Sequence, residues 1–429
     1  MKHLIVVGSG AGGATVAKKL QGEFAVTVLE AGKEFQPLAL ELGTIEKLKR
    51  TGLLFDEREM RLLFPALQIR KTRGMVLVNG NCLGGSTTVS TGNAVRMDRE
   101  LQTLGINLDE EFKEIYQEIP ITIEHQKRWH KHTRRLFEIC TAMDLAPSPM
   151  PKMGDYDRCT SCGRCMLGCP RGAKWDSRRF VQHAVDRGAQ VVTQCQVEKV
   201  VIQNGRAVGV EAKHRWTRRF FPADVVVLAA GGLATPVILQ RSGITCEPRL
   251  FVDPVLCVAT EWPDAQQCRE IEMPFYVQRE HFILSPYFDY LSFPFNKRWK
   301  PPAKDILGIM IKLADTPKGS VSAHGPQKTL SAEDKRRLAE AVVICNDILR
   351  QFGAGNDDIF LGTVNAGHPG GMLPLTERHA TSMRDPRLPG NLYVADATLF
   401  PNSLGGPPIL TIIAMAKKVS KACAERWSA

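Results

Sequence analysis

The chain has 429 residues, of which 44% are hydrophobic and 24% charged, and its formal net charge is +11. This composition excludes a disordered chain and predicts a large buried core, arranged as two intertwined domains or as one domain with a cap. The 12 cysteines are too sparse for a disulfide-rich secreted protein, so we expect a reducing compartment, the cytoplasm.

A dinucleotide-binding turn opens the chain. Gly8, Gly10 and Gly13 follow an apolar stretch at residues 3–7 and precede a helical pattern. The first glycine permits the tight turn, the second lets backbone N–H groups approach a pyrophosphate, and the third packs helix on strand. Glu30 ends the next strand, where it can accept from a ribose 2′-hydroxyl. The unit predicts a dinucleotide site but does not by itself separate FAD from NAD, although the motif followed by Glu-Ala-Gly at 30–32 is more typical of flavoproteins. It leaves no room before it for a signal peptide.

A second glycine-rich loop at residues 79–88 is expected to lie against a flavin. Residues 96–150 have helical patterns with a basic face, and basic residues cluster at 127–135 and again at 213–219. Most such clusters are solvated surface, but these also fit an acidic electron carrier, an anionic substrate or an acidic membrane surface. Nucleic acid is not an expected partner, because no recognised binding module accompanies the charge.

Four cysteines then follow the spacing C-x2-C-x2-C-x3-C-P, by which bacterial ferredoxins hold an iron–sulfur cluster. They are Cys159, Cys162, Cys165 and Cys169. Zinc is the main alternative, although zinc sites usually present two separated C-x2-C pairs. In two-cluster ferredoxins the fourth cysteine serves the other cluster, so Cys140 or Cys195 is an alternative to Cys169. The run predicts a 4Fe-4S cluster.

The second half of the chain combines strands with one long helix. A helix is predicted over 177–187, followed by hairpin-like strands at 190–193, 198–203, 208–213 and 223–230. The longest apolar stretch, 225–239, is interrupted by glycine and proline, so we expect a buried strand and turn and no membrane span of ~20 residues. Residues 245–330 suit a substrate-side sheet, and helices are predicted over 331–352 and 410–427.

These motifs resemble, in order, the glucose-methanol-choline (GMC) oxidoreductase family, FAD enzymes that oxidise alcohols. The matching segments are 30–32, 83–87, 172–174 and 225–243, followed by His368, Asp396 and Thr411. The resemblance implies an α/β fold, with a Rossmann-like FAD-binding domain and a smaller α+β substrate domain on an antiparallel sheet. The FAD-binding domain is expected at 1–35, 72–95, 155–245 and 356–429, with the iron–sulfur segment at 155–175. The substrate or cap domain is expected at 36–71, 96–154 and 246–355.

The resemblance also implies residue roles. FAD would lie extended with its pyrophosphate at the first helix, and four residues would approach its isoalloxazine and pyrophosphate. These are Gly84, Gly85, Ser86 and Asp396. In the family a histidine takes the hydroxyl proton of the alcohol while hydride leaves for flavin N5, and His368 occupies that position.

Two departures from the family bear on the chemistry. A second His or Asn normally precedes the C-terminal helix, but Pro407 stands there and offers no side-chain hydrogen bond. Asn402 or Asn93 would then supply the donor, unless the enzyme acts on a ketone in the reductive direction or at a C–C bond beside a ketone. The cysteine run is the second departure, because oxidases of the family return electrons to O2.

The run favours a dehydrogenase whose reduced flavin discharges in one-electron steps to an external, acidic, ferredoxin-like carrier. The expected substrate is a small-molecule alcohol or ketone, and peripheral membrane contact stays open. A different class of function is also open: an electron-transfer subunit whose flavin and cluster relay electrons within a larger redox complex.

Overall fold

The computed structural model describes residues 1–38, 42–50 and 64–427, so part of the predicted cap segment 36–71 lies outside the described residues. Its strands, in chain order, are β1 (His3–Val7), β2 (Ala25–Leu29), β3 (Leu67–Thr72), β4 (Met75–Gly80), β5 (Ile121–Thr122), β6 (Ser148–Pro149), β7 (Lys152–Met153), β8 (Gln190–Val192), β9 (Cys195–Gln203), β10 (Arg206–His214), β11 (Thr217–Pro222), β12 (Val225–Leu228), β13 (Pro254–Glu261), β14 (Phe275–Gln278), β15 (Phe282–Pro286), β16 (Ile306–Leu313), β17 (Gly319–Ser322), β18 (Gly325–Lys328), β19 (Ile359–Leu361), β20 (Asn365–Ala366) and β21 (Leu392–Val394). Its helices are α1 (Ala11–Leu20), α2 (Leu42–Arg50), α3 (Arg99–Thr103), α4 (Asp109–Glu118), α5 (Lys131–Ala142), α6 (Arg178–Asp186), α7 (Ala234–Arg241), α8 (Ser292–Phe295), α9 (Ala332–Phe352) and α10 (Ile409–Trp427).

A parallel sheet forms the first layer, with strand order β21-β12-β1-β2-β8. Strands β1, β2 and β12 are rich in valine and leucine and are largely buried, as expected for a parallel sheet covered on both faces. Helix α1 packs against α6 and α10 beside this sheet. The arrangement brings the carboxyl ends of β1, β2, β12 and β21 to one edge, where Gly8, Glu30, Ala229 and Ala395 follow the strands.

An antiparallel meander of β9, β10 and β11 lies beside the parallel sheet. A turn at Asn204 and Gly205 joins β9 to β10, and both residues have positive φ angles, 49° and 73°. The predicted hairpin series is wrong at both ends, because β8 pairs with β2 and β12 pairs with β1 in the parallel sheet. Strand β11 takes the place predicted for the last hairpin strand.

A larger mixed sheet carries the substrate-side segments in the order β3-β4-β20-β13-β16-β15-β14-β6, with β19 also paired to β13. Helix α9 packs on β13 and β16 and matches the helix predicted over 331–352. It begins with a capping box between Ser331 and Asp334 and ends at Gly353, whose φ is 117°.

The two sheets meet near the loop that follows β20. A Cβ added to Gly232, which follows β12, would lie 1.9 Å from the carbonyl oxygen of Pro369. The loop carrying His368 therefore sits directly on the carboxyl edge of the parallel sheet. No helix within the described residues is long and apolar enough to cross a membrane.

Candidate active site

The glycines of the first turn have different surroundings. Gly8 has a φ of 96°, which favours glycine. A Cβ on Gly13 would lie 1.9 Å from the carbonyl oxygen of Gly8, so the helix packs on the turn only without a side chain there. A Cβ on Gly10 would meet no protein atom within 4 Å. The turn is therefore open on the Gly10 side, where the sequence predicts close approach of a pyrophosphate.

Ser9 joins the first turn to Glu30. The carboxylate of Glu30 accepts hydrogen bonds from Ser9 N at 3.0 Å, Ser9 Oγ at 2.6 Å and Gly32 N at 2.8 Å. Burial raises the pKa of Glu30, and these hydrogen bonds oppose that rise. Glu30 thus lies at the end of β2 as predicted, with its carboxylate also fixing the turn. Ser9 was not among the predicted site residues, although it lies between two glycines of the motif.

The predicted loop at Gly84, Gly85 and Ser86 lies against the first turn. A Cβ on Gly85 would stand 2.9 Å from the Cα of Gly10, and Gly84 N donates to Ser9 Oγ at 2.9 Å. Ser86 Oγ accepts from Gly80 N at 3.0 Å. The fold therefore brings two motifs that are far apart in sequence to one place.

Ser177, which the sequence analysis did not single out, secures this loop. Its buried hydroxyl lies 3.0 Å from Ser9 O, 2.9 Å from Gly84 O and 2.9 Å from Thr87 Oγ1. Nothing in the sequence around Ser177 marks it for this role.

Asp396 lies at the same edge of the sheet, directly after Ala395, the residue that follows strand β21. Its buried carboxylate accepts from Gly231 N at 2.9 Å, Thr235 Oγ1 at 2.5 Å and Thr398 N at 2.8 Å. Burial raises the pKa of Asp396. The side chain thus ties the ends of β12 and β21 together.

His368 is partly exposed and contacts two buried charged groups. Its Nδ1 lies 3.3 Å from Asp253 Oδ2 and is in hydrogen-bond contact with Lys312 Nζ, and the ring also bonds the backbone of Gly406. Lys312 Nζ is 3.6 Å from Asp253 Oδ2, and Ser403 Oγ donates to Asp253 Oδ1. Both charged side chains are almost fully buried, at 5% and 1% exposure, so neither charge is screened by bulk water.

The surroundings shift the pKa of each group in this cluster. Burial lowers the pKa of His368, the charge of Lys312 lowers it further, and Asp253 opposes both. Burial would raise the pKa of Asp253, but Lys312, His368 and Ser403 hold it below its ordinary value. Burial also lowers the pKa of Lys312. His368 is therefore held in its neutral form, in which one ring nitrogen can accept a proton.

Asp253 and Lys312 were missed by the sequence analysis. Lys312 carried a signal, because it is the single charged residue in the apolar strand Ile306–Leu313. A lone charge in a buried strand needs a partner, and this strand is buried throughout. Asp253 directly precedes β13 and has a φ of 50°. Neither position reveals from sequence alone that the two side chains meet His368.

The two asparagines proposed as donors have different partners. Asn402 Oδ1 accepts from Arg249 Nη2 at 3.3 Å, and the next residue, Ser403, contacts Asp253. Asn93 is buried, where its Oδ1 accepts from Lys152 Nζ at 2.5 Å and its amide nitrogen lies 3.0 Å from the sulfur of Met273. Asn402 is thus one residue from the His368 cluster, whereas the contacts of Asn93 join it to Lys152.

The four cysteines of the run line one small cavity, together with Tyr156 and Ile271. Cys140 and Cys195 do not line this cavity and are buried in separate apolar clusters. Gly163, within the run, has a φ of 65°, and its Cβ would lie 2.1 Å from Cys268 O. Within the described ranges, no three His, Cys, Asp or Glu side chains are arranged to hold a single metal ion.

Two buried lysines stand between the cavity and the loop at Gly84. Lys174 Nζ donates to Thr87 O and Thr88 O, both at 2.8 Å, and Lys152 Nζ donates to Glu272 O at 2.6 Å. Both ammonium groups are within electrostatic range of the Cys165 thiol. Burial lowers the pKa of Lys152 to about 8. Ala173 lines the cysteine cavity and the next residue, Lys174, bonds the loop, so the two sites adjoin at these residues.

The family model described as GMC oxidoreductase matches residues 2–256, more than half of the chain. The chain belongs to the GMC oxidoreductase family. Membership implies FAD as cofactor and oxidation of an alcohol-type substrate. The resemblance stated from the sequence is therefore confirmed at the level of the family.

Three relatives of this GMC protein are 27–30% identical to it over the aligned residues. An uncharacterised protein of Methanocaldococcus jannaschii is 28% identical over 423 residues, 97% of this chain and 98% of that protein. An uncharacterised GMC-type oxidoreductase of Mycobacterium tuberculosis is 30% identical over 264 residues, 57% of this chain and 40% of that protein. A long-chain-alcohol oxidase of Arabidopsis thaliana is 27% identical over 268 residues, 56% of this chain and 34% of the oxidase.

Solved structures support the predicted fold. Pyridoxine 4-oxidase from Mesorbium loti superposes with a TM-score of 0.71 at 15% identity, over 98% of this chain and 99% of that chain. Formate oxidase superposes with a TM-score of 0.72 at 14% identity, over 99% of each chain. The predicted α/β class, a Rossmann-like FAD-binding domain with a substrate domain, is confirmed.

The first turn fits the FAD that the family implies. The side of the turn at Gly10 is open, and the N-terminal turn of α1 carries no acidic residue that would repel a pyrophosphate. The N–H groups at the start of a helix, together with the helix dipole, favour an anion. The residues expected to hold the dinucleotide are thus Gly8, Gly10 and Gly13 with the loop at Gly84.

We expect Gly10→Ala to weaken FAD binding while leaving the fold intact. The new methyl group would occupy the open side of the turn, where overpacking costs about 1–3 kcal/mol, or ~5- to 150-fold in Kd. FAD titration of the apoprotein measures the affinity, and thermal unfolding of the apoprotein measures the fold. Gly43→Ala is the matched control, since its Cβ also meets no protein atom within 4 Å. An unchanged Kd for Gly10→Ala would contradict this assignment.

Proposed function

We propose that the chain is an FAD-dependent dehydrogenase that oxidises an alcohol and releases its electrons through a 4Fe-4S cluster to an external carrier. The observation that carries the proposal is the common cavity of Cys159, Cys162, Cys165 and Cys169, which Ala173 also lines. The next residue along the chain, Lys174, donates to the loop of the dinucleotide site. The FAD-binding part would comprise 1–35, 72–95, 155–245 and 356–429, and the substrate part the remaining segments.

The donor set and its surroundings fit an iron–sulfur cluster. The thiolates of a cubane each bind a different iron, so they stand further apart than the ligands of one ion. A cubane held by four thiolates is also negatively charged, and Lys152 and Lys174 are buried beside the cysteines with 0% and 3% exposure. Glu272 is the buried carboxylate within range of both lysines. A bound cluster would supply one-electron transfer. Its negative charge would also balance the lysine charge that the single carboxylate of Glu272 does not.

His368 is the base in this proposal. Nδ1 of His368 faces both Asp253 and Lys312, and the base role belongs to the tautomer in which Nδ1–H donates to Asp253. In that tautomer the other nitrogen, Nε2, carries the lone pair that takes the proton of the substrate hydroxyl. Asp253 orients the ring and stabilises the imidazolium that forms, while the buried charge of Lys312 keeps the ring neutral before substrate arrives. Bound FAD would supply the hydride acceptor.

Asn402 is our candidate for the donor that Pro407 lacks. The amide nitrogen of Asn402 donates no hydrogen bond to any described residue, and the neighbouring Ser403 bonds Asp253. Asn93 is the second candidate, but its amide already faces Met273 and Lys152. Proline cannot orient a substrate oxygen, so a nearby amide must do so if the alcohol chemistry holds.

The charges around His368 give opposite pH effects in two variants. Lys312→Met removes a cation that lowers the pKa of His368, so we expect the acidic limb of kcat/KM to move to higher pH. Asp253→Asn removes the group that raises this pKa, so the limb should move to lower pH. Asp253→Asn should also lower kcat by roughly 10- to 100-fold, part of the contribution of a positioned base. Shifts in the same direction for both variants would contradict the assignment.

Two anaerobic measurements test the proposed function together. Protein purified without oxygen is assayed for iron, acid-labile sulfide, zinc and flavin, and the flavin spectrum is followed on adding primary alcohols of increasing chain length. About four iron and four sulfide per chain, with flavin bleached by an alcohol, are expected. Zinc in place of iron would contradict electron transfer through an iron–sulfur cluster. A flavin that only external reductants bleach would favour an electron-transfer subunit or the reductive direction.

The proposed carrier is acidic and ferredoxin-like, and the proposed compartment is the cytoplasm. Arg164 and Arg171 line the cysteine cavity, and Arg128 Nη1 donates to Cys159 O at 2.8 Å. Positive charge at the exit favours an acidic partner and raises the rate of encounter at low salt. Reduction of an acidic ferredoxin should therefore slow with ionic strength, whereas reduction of a neutral dye should not.

A further inference from the structure

The turn between β10 and β11 projects an exposed tryptophan among basic residues. The side chain of Trp216 is 91% exposed and that of Phe220, on β11, is 49% exposed. By contrast, Trp175 and Trp299 are fully buried. The flanking residues Lys213, Arg215, Arg218 and Arg219 are exposed as well. Large aromatic side chains are usually buried in a core or an interface, because burial removes their apolar surface from water. The exposure of Trp216 therefore indicates a candidate contact surface.

Most of the charges on this turn have no ionic partner among the described residues. Arg218 pairs with Glu198 at 3.1 Å, but within residues 1–38, 42–50 and 64–427 no ion pair involves Lys213, Arg215 or Arg219. The other basic cluster, at 127–135, is different. There, Arg128 and Arg134 donate to backbone carbonyls and Arg135 lies over aromatic rings. The tip of the β10–β11 hairpin therefore carries basic side chains that are open to a partner.

The hairpin tip is also fixed in place. Arg215 has a φ of 54°, and its N–H donates to Gln194 O at 2.9 Å. The neighbouring Cys195 N donates to Glu30 O at 2.8 Å. The tip thus projects beside the end of β2, at the edge of the parallel sheet that faces the dinucleotide site.

We propose that this hairpin tip docks the protein on an anionic lipid surface. Tryptophan partitions to the boundary between headgroups and acyl chains, and neighbouring arginine and lysine side chains bind anionic headgroups. A projecting aromatic needs no preformed pocket in a bilayer, whereas a protein partner must supply one. The proposal goes beyond alcohol oxidation, because no step of that reaction uses these residues.

Vesicle flotation with the FAD-loaded protein tests this proposal. We expect the protein to float with vesicles of phosphatidylcholine and phosphatidylglycerol but not with phosphatidylcholine alone, and binding should weaken with salt. Arg215→Gln and Arg219→Gln should each lower the partition coefficient by about fivefold. Trp216→Ala should lower it by roughly tenfold or more. Tryptophan emission should shift to shorter wavelength on binding, and Trp216→Ala should abolish the shift.

Two matched variants serve as controls. Arg298→Gln removes an exposed charge elsewhere, and Val343→Ala removes an exposed apolar side chain on α9, which is 56% exposed. Both should float like the unmodified protein. Absence of flotation, or flotation unaffected by Trp216→Ala, would overturn the proposal. Binding to single-stranded RNA in place of vesicles would assign the tip to nucleic acid. None of these readouts requires turnover, so they stand apart from the test of the proposed function.

Discussion

We expect His368→Gln to lower the rate at which an alcohol bleaches the flavin by about 10²- to 10⁴-fold, the range that a positioned general base contributes. Glutamine keeps hydrogen-bonding capacity but has no lone pair basic enough to take the hydroxyl proton. FAD content should be unchanged, because the His368 side chain contacts Asp253, Lys312 and Gly406 and not the first turn. The effect should therefore lie in the chemical step.

Anaerobic stopped-flow mixing measures that step, because it follows flavin absorbance before any electron leaves the protein. His324→Gln is the control, since His324 is exposed in the turn between β17 and β18. It should keep the rate of the unmodified protein. A His368→Gln variant that is bleached by alcohol at the normal rate would remove His368 from the role of base. If the unmodified protein turns over no alcohol and the variant still transfers electrons at the normal rate, the protein is better described as an electron-transfer subunit.

Features with local causes were predictable from the sequence. The first turn needs glycine at Gly8 and Gly13 for reasons contained within one βαβ unit. Helix α9 could be placed because Ser331 and Asp334 cap its start and Gly353 ends it. The spacing of the cysteines likewise suffices to bring them to one cavity, since the run is short and turns at Gly163 and Gly168.

Features that depend on long-range pairing were not predictable in the same way. The contacts of His368 with Lys312 and Asp253 span 56 and 115 residues and depend on the order of strands in the mixed sheet. The parallel partners of β8 and β12 were missed for the same reason, because the sequence of a short apolar strand does not indicate which strand it pairs with. Ser177 reaches Ser9 across 168 residues, and only the assembled edge of the sheet gives it a role.

Cys165→Ser should remove the iron and sulfide from the protein while leaving the flavin reducible by alcohol. Serine replaces the soft thiolate with a hydroxyl that does not hold iron in a cubane. Turnover with a one-electron acceptor should then fall by more than the ~10- to 100-fold that changes around metal sites cost. Iron and sulfide assays, bleaching by alcohol and reduction of ferredoxin measure these three properties on one preparation.

The separation of the two half-reactions makes the Cys165 result decisive. Cys246→Ser is the matched control, because Cys246 is also partly buried but lies outside the run. Far-ultraviolet circular dichroism and FAD content establish that each variant is folded, and Cys169→Ser provides a second test at the C-terminal end of the run. If ferredoxin reduction survives without iron, electrons leave the flavin directly and the cysteine cavity has a structural role. If alcohol bleaching and ferredoxin reduction fail together in folded, FAD-loaded protein, the cluster is not a separate exit.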